Sequence, residues 1–246
     1  MDSTSAHFTK LHKPSQKKPY ARGCMVFLFL ALGIFFSISI ASGIYAYTVY
    51  KGLRSGKITP EQIFGRPQDQ KINGIFGTGR PIVGNGSAPI AFVVFIDYEC
   101  EFCREASSAI NAFIRDPYYK DKARFVIRQF PVTKLHPHAL EAALGAECAH
   151  EQGKFLEMNN ALFGTKESLS GYVIKDLAKV IGLNTQQFNS CFDEKRYIDV
   201  IKSDMSDGID AGIRSTPVFL IKDRIIEGAP TLENIKQAVD YLSSSR

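Results

Sequence analysis

The sequence predicts an α/β domain interrupted by a helical insertion and preceded by one N-terminal membrane-spanning helix. Three observations carry this. Residues 23–50 are 28 consecutive residues without a formal charge. A strand–helix–strand pattern and a strand–strand–helix pattern flank about eighty residues of helical periodicity, so both flanks must return to one sheet. The first strand, Ala91-Phe-Val-Val-Phe-Ile-Asp97, runs almost directly into Cys100-Glu-Phe-Cys103, which opens a helical pattern.

The first 22 residues are polar and basic and read as a cytoplasmic tail. At ~1.5 Å per residue the uncharged run exceeds the ~30 Å hydrocarbon core and can span it with tilt. Tyr45, Tyr47 and Tyr50 at its far end suit an aromatic belt. The run is long for a signal-peptide core and reads as an uncleaved anchor over 23–50. Lys10, Lys13, Lys17, Lys18 and Arg22 precede it and Lys51, Arg54, Lys57 and Arg66 follow, a weak bias toward a cytoplasmic N-terminus. Cysteine usage adds to it, because a domain built around disulfides belongs outside the reducing cytosol. The expected location is therefore a single-pass inner (cytoplasmic) membrane protein with an extracytoplasmic, periplasmic domain.

The net charge of +5 is concentrated in the first 50 residues, where five Lys/Arg face one acid, Asp2. The excess reads as a topology signal and a lipid-headgroup contact, and is no evidence for nucleic-acid binding, which needs a basic stripe on the folded domain. Residues 51–86, rich in Gly, Pro and Lys, read as a tether with little core. The folded domain is expected over 87–246.

Its elements follow from periodicity. Ala91–Asp97 is apolar and β-branched, hence a buried strand. Cys100–Ile114 is a helix whose stripe is Phe102, Ala106, Ile110, Phe113 and Ile114. Ala123–Phe130 is a second strand closed by Pro131. Pro137 suits the first turn of a helix running to Glu151. Lys154–Phe163, Tyr172–Ile181, Gln186–Phe192 and Tyr197–Ala211 continue the helical block, about 132–212, with glycines between them. Pro217–Ile221 and Arg224–Glu227 are strands, and Leu232–Leu242 is a last amphipathic helix. Phe125, Phe130, Phe155 and Phe219 are expected in the core.

Two thiols three positions apart at a helix start can cycle between dithiol and disulfide. Free backbone N–H groups and the helix dipole favour thiolate at Cys100, the expected nucleophile. Cys103, one turn in, is the expected resolving thiol. A permanent disulfide in so short a loop would gain little by closure, so stability explains the pair poorly. Glu101 beside the nucleophile is a like charge and is expected to raise its pKa. Asp97 is either a modulator of proton transfer or a polar residue closing the strand. Arg128 lies either beneath the site or in solvent. His136 and His138 receive no role. Cys24 reads as a small apolar residue of the membrane run.

The chain resembles the DsbA-like branch of the thioredoxin superfamily over roughly residues 82–243. The resemblance rests on Asp97-Tyr-Glu-Cys100-Glu-Phe-Cys103, on Arg128-Gln-Phe-Pro131 followed by His136-Pro-His-Ala139, on Cys148-Ala-His-Glu-Gln-Gly153-Lys-Phe, and on Gly212-Ile-Arg-Ser-Thr216-Pro217-Val-Phe. It implies a thioredoxin fold with an inserted helical domain. It further implies a cis Thr216–Pro217 bond beside the thiols, with Thr216 and Phe102 meeting substrate, and a structural disulfide between Cys148 and Cys191. A zinc site using Cys148, His150 and the CxxC pair is the alternative for those cysteines. Glu101-Phe102 replaces the Pro-His pair of strongly oxidising relatives, so a weaker oxidant is expected. No cofactor is expected. The implied activity is disulfide exchange with exported, cysteine-containing clients, as an oxidase recharged by a quinone-linked membrane partner. The alternatives are a reductase or isomerase fed by an electron donor, and an anchored peptide-binding chaperone.

Overall fold

The computed structural model describes residues 75, 77–222 and 224–244, together with Ile40, Gly43, Ile44 and Tyr47, which are helical and exposed. Contacts divide the chain into units 1–58 and 59–246. The basic tail, nearly all of the expected anchor and the tether up to residue 74 lie outside the described residues. Among the described residues no helix is long and apolar enough to cross a membrane.

The second unit holds strands β1 (Ile82–Gly84), β2 (Ile90–Ile96), β3 (Ala123–Gln129), β4 (Val218–Ile221) and β5 (Arg224–Glu227). Its helices are α1 (Glu101–Arg115), α2 (Ala139–Glu151), α3 (Phe155–Gly164), α4 (Gly171–Val180), α5 (Thr185–Asp193), α6 (Ile198–Asp210) and α7 (Leu232–Ser244). The sheet order is β1-β3-β2-β4-β5. β2 pairs parallel with β3 and antiparallel with β4. A central strand covered on both faces must be apolar throughout, which is why Ile90–Ile96 shows no polar alternation.

The two-residue period sorts the sheet into two cores. Phe92, Val94 and Ile96 of β2, with Phe125 and Ile127 of β3, pack against α1, α7 and the helical block. Val93, Phe95, Val126 and Val218 face the other way, toward Phe130, Ala211 and Ile213. Each such side chain contributes roughly 1.5–3 kcal/mol on burial. On this second face α6 approaches closely at Gly208, where a Cβ would stand 2.9 Å from the Phe130 ring.

Two expectations are corrected. The tether does not extend to 86, because β1 pairs with β3 and Ile75 and Val83 are buried. A three-residue strand between Pro81 and a Gly84 at φ +96° is too short to show a period. Phe102 is not part of the α1 stripe. It is 61% exposed, and the buried face is Cys103, Ala106, Ser107, Ile110 and Phe113. Cys103, in the same first turn, takes the buried position at i, i+3, i+7 with Ala106 and Ile110, so Phe102 falls off the stripe.

The helical block, α2 to α6, is fastened by a disulfide between Cys148 on α2 and Cys191 on α5, 43 positions apart. Ser170 and Asn184 cap α4 and α5 by accepting the Val173 and Gln187 N–H groups. Closing a loop of that length stabilises by roughly 4 kcal/mol in the chain-entropy treatment. A Cys148→Ala/Cys191→Ala double variant is expected to lose stability of that order in urea denaturation. The unmodified chain should lose a similar amount when this bridge is reduced.

Candidate active site

The site forms where β2 and β3 end, α1 begins and β4 starts. β4 runs antiparallel to β2 with Val218 opposite Phe95, so Thr216 and Pro217 fall beside the segment that leads from β2 into α1. The Thr216–Pro217 bond is cis. Cys100 is the N-cap residue of α1, and its Sγ lies 3.4 Å from the Thr216 carbonyl oxygen. Cys103, one turn in, is fully buried, and the Asp97 N–H donates to its Sγ at 3.4 Å. Both are free thiols. Cys100, Cys103, Thr216, Pro217 and Asp97 thus come together. Phe102 flanks them in solvent.

The two sulfurs differ sharply in acidity. Hydrogen bonds lower the Cys100 thiol from 9.0 to about 5: first from the Cys103 thiol, then, against the cost of burial, from the Cys103 N–H, the Thr216 side chain and the Phe102 N–H. This is the helix start acting as an anion site. Burial, and then its hydrogen bond to Cys100, push the Cys103 thiol far upward. The arrangement stores one thiolate and one thiol. Glu101, expected to raise Cys100, is exposed on the first turn and is not among the leading causes of the lowered value.

Asp97 is 1% exposed. Its Oδ1 accepts from Glu99 N at 2.8 Å, and its Oδ2 accepts from Val132 N at 2.7 Å and faces His136 Nδ1 at 2.9 Å. It ties the active-site loop to the turn that follows β3. A second tie runs from the His138 N–H to Glu99 Oε2 at 2.7 Å. His136 was a visible motif residue without a role; only the folded loops bring it here.

Arg128 is fully buried, not solvated. It lies on the second face of the sheet, paired with Asp204 and Asp207 and donating to the Ile75 carbonyl. Cys148 is committed to its disulfide, which removes the zinc alternative.

Sequence reasoning also missed Glu147. It is 1% exposed on α2 and accepts from Gln129 Nε2 at 2.9 Å. It couples electrostatically to the buried Tyr98, which also senses Cys103. The Tyr98 hydroxyl donates to Asn159 Oδ1, and Asn159 Nδ2 donates to Ser107 on α1. Burial pushes Glu147 up to about 7. The available signal was a lone acid in the run Ala142-Ala-Leu-Gly-Ala-Glu-Cys-Ala149.

The family model for thioredoxin matches residues 78–241. Among solved structures, the thiol-disulfide exchange protein alpha-DsbA2 from Wolbachia pipientis is 27% identical, with a TM-score of 0.62, covering 68% of this chain and 89% of that one. A thioredoxin-like oxidoreductase from Silicibacter pomeroyi DSS-3 is 24% identical with a TM-score of 0.64, covering 72% and 99%, a likeness of fold. Among curated proteins, Na(+)/H(+) antiporter NhaA 1 of Mycobacterium sp. (strain KMS) is 32% identical over 149 residues, which are 60% of this chain and 24% of that protein. The chain spans about a quarter of the length of the curated relatives it matches.

Two outcomes follow. A folded thiol at about 5 against 9.0 unfolded means that the reduced form gains stability as pH rises between those values and loses it as pH falls through about 5. Denaturant midpoints of the reduced protein, referred to the oxidised protein, should rise across that window. Glu147 has the opposite sign. Its folded value is raised, so stability falls as pH climbs from 4.5 to about 7. In the oxidised protein, Glu147→Gln should remove a loss on the order of 3 kcal/mol between those limits.

Proposed function

The chain belongs to the thioredoxin family, among its DsbA-like thiol-disulfide oxidoreductases, and on that premise we propose that it exchanges disulfides with exported proteins from a membrane anchor, acting chiefly as a dithiol oxidase. The observation that carries this is the unequal pair: a low-pKa sulfur at the N-cap of a helix, with 9% of its residue exposed, and a high-pKa, fully buried sulfur one turn in.

In the oxidising direction a client thiolate attacks Cys100 Sγ of the Cys100–Cys103 disulfide. Cys103 leaves and takes up a proton, and the client is held to Cys100. A second client thiolate then attacks the client sulfur, and Cys100 departs as thiolate. The low pKa of Cys100 makes it the better leaving group and favours the reduced enzyme, hence an oxidising disulfide. A value of about 5 lies between the roughly 7 of thioredoxin and the roughly 3.5 of DsbA. This supports an oxidant weaker than the Pro-His relatives.

The half-buried Thr216 offers backbone groups with which a client strand can pair, and the exposed Phe102 offers an apolar contact beside the nucleophile. Anchoring is supported by the uncharged run 23–50, and an extracytoplasmic domain by the Cys148–Cys191 bridge. A quinone-linked membrane partner would reoxidise the pair.

A Cys103→Ala variant removes the resolving thiol and leaves Cys100. Cells expressing it are expected to accumulate client proteins disulfide-linked to Cys100, visible as reductant-sensitive bands on gels, and a Cys100→Ala/Cys103→Ala variant should show none. Equal client recovery from both variants would instead identify a peptide-binding chaperone. The resting redox state of the wild-type pair should be oxidised; a reduced pair would assign the reductase or isomerase role.

A further inference from the structure

The His136–Asp97 contact joins the turn after β3 to the loop that carries the nucleophile. Asp97 is a buried carboxylate three positions before Cys100, and its backbone N–H already bonds Cys103 Sγ. A carboxylate there is a like charge toward a thiolate and opposes it. His136 Nδ1 stands 2.9 Å from that carboxylate, with the His136 side chain 26% exposed. The Nδ1 contact fixes the ring orientation and leaves Nε2 to gain or lose the second proton in contact with water. The turn is held from two sides, by Val132 N on Asp97 and by His138 N on Glu99, so the ring is not free to drift.

We propose that His136 is the cation that offsets Asp97 beside the Cys100 thiolate, and that the proton on His136 is therefore linked to the redox state of the Cys100–Cys103 pair. The groups facing the ring from the active-site loop and the start of α1 are Asp97, Glu99 and Cys100. Its own turn adds the exposed Lys134 and His138, the latter 3.8 Å from Glu141 on α2. Burial disfavours the imidazolium, but the hydrogen bond and charge of Asp97, with Cys100 and Glu99, raise His136 above 6.5. Oxidation abolishes one of those charges. The linked reaction with glutathione balances as Cys100–S⁻ plus Cys103–SH plus glutathione disulfide plus one proton, giving the Cys100–Cys103 disulfide and two glutathione thiols. Part of that proton comes from His136, whose hold on it weakens when the thiolate is gone. Asp97 is a positioning residue in this scheme, acting through the ring.

This deepens the disulfide-exchange reading and rests on it only in taking the pair as a redox couple. The test uses the full chain in detergent with isotope-labelled histidine. His136 is expected to titrate at higher pH in the reduced than in the oxidised protein, while His150 does not move. His136→Gln should raise the thiolate midpoint of Cys100 and lower the oxidising equilibrium constant against glutathione by roughly fivefold. His136→Lys, which keeps the charge, should retain most of that constant. A His136 titration indifferent to redox state, or a lysine variant as impaired as the glutamine variant, overturns the proposal. A wild-type pair that glutathione cannot cycle overturns the exchange reading with it, so the two failures are distinguishable.

Discussion

A bare sulfur anion next to a protein core is costly, and the site exists because donors converge on one position to hold it. Cys100 occupies the N-cap of α1, where backbone N–H groups lack helical partners and the Cys103 thiol and the Thr216 side chain point the same way. The rest of the fold serves that convergence. The parallel pairing of β2 with β3 sets where the loop ends, and the antiparallel pairing of β4 brings the cis-proline beside it. The apolar face of α1 fixes the helix against the sheet, so that Cys103 is fully buried while Cys100 keeps a margin of 9% exposure.

Dryness also explains the polar side chains under the site. Tyr98, Asn159, Ser107, Gln129 and Glu147 are buried and hydrogen-bond one another, Tyr98 to Asn159 to Ser107 and Gln129 Nε2 to Glu147, while Gln129 Oε1 is left without a partner among the described residues. On the other face Arg128 and Asp204 pair around the close approach at Gly208. Burial raises Tyr98, Glu147 and Asp204 together, and their contacts with Gln129 and Arg128 oppose the rise. The acidity of Cys100 is set closer at hand, by the Cys103 thiol and N–H, Thr216 and the Phe102 N–H acting against burial. Glu101, read from the sequence as a like charge beside the nucleophile, is exposed on the first turn of α1.

Much of this was legible in the chain because it is local. The strand that runs into a CxxC helix, the helices of the insertion and the Thr216–Pro217 segment depend on periodicity and short motifs, and their boundaries agree within a few residues. What was not legible depends on meetings between distant segments. His136 reaches Asp97 across 39 positions, and Glu147 reaches Gln129 across 18. Strand β1 escaped because three residues carry no period, and Phe102 was placed on the α1 stripe because its i, i+4, i+8 spacing with Ala106 and Ile110 fits a buried face as well as that of its neighbour Cys103.

Glu147 and Cys148 are neighbours on α2, yet they point apart: one toward the layer beneath the thiols, the other into the bridge with α5. A single helical turn therefore fastens the insertion and furnishes a titrating group to the site. It follows that the insertion is not an interchangeable ornament on the sheet. Grafting a foreign helical block onto these strands would preserve the cysteines and their proline, yet would take away the acid that holds Gln129 and couples to Tyr98 beneath them.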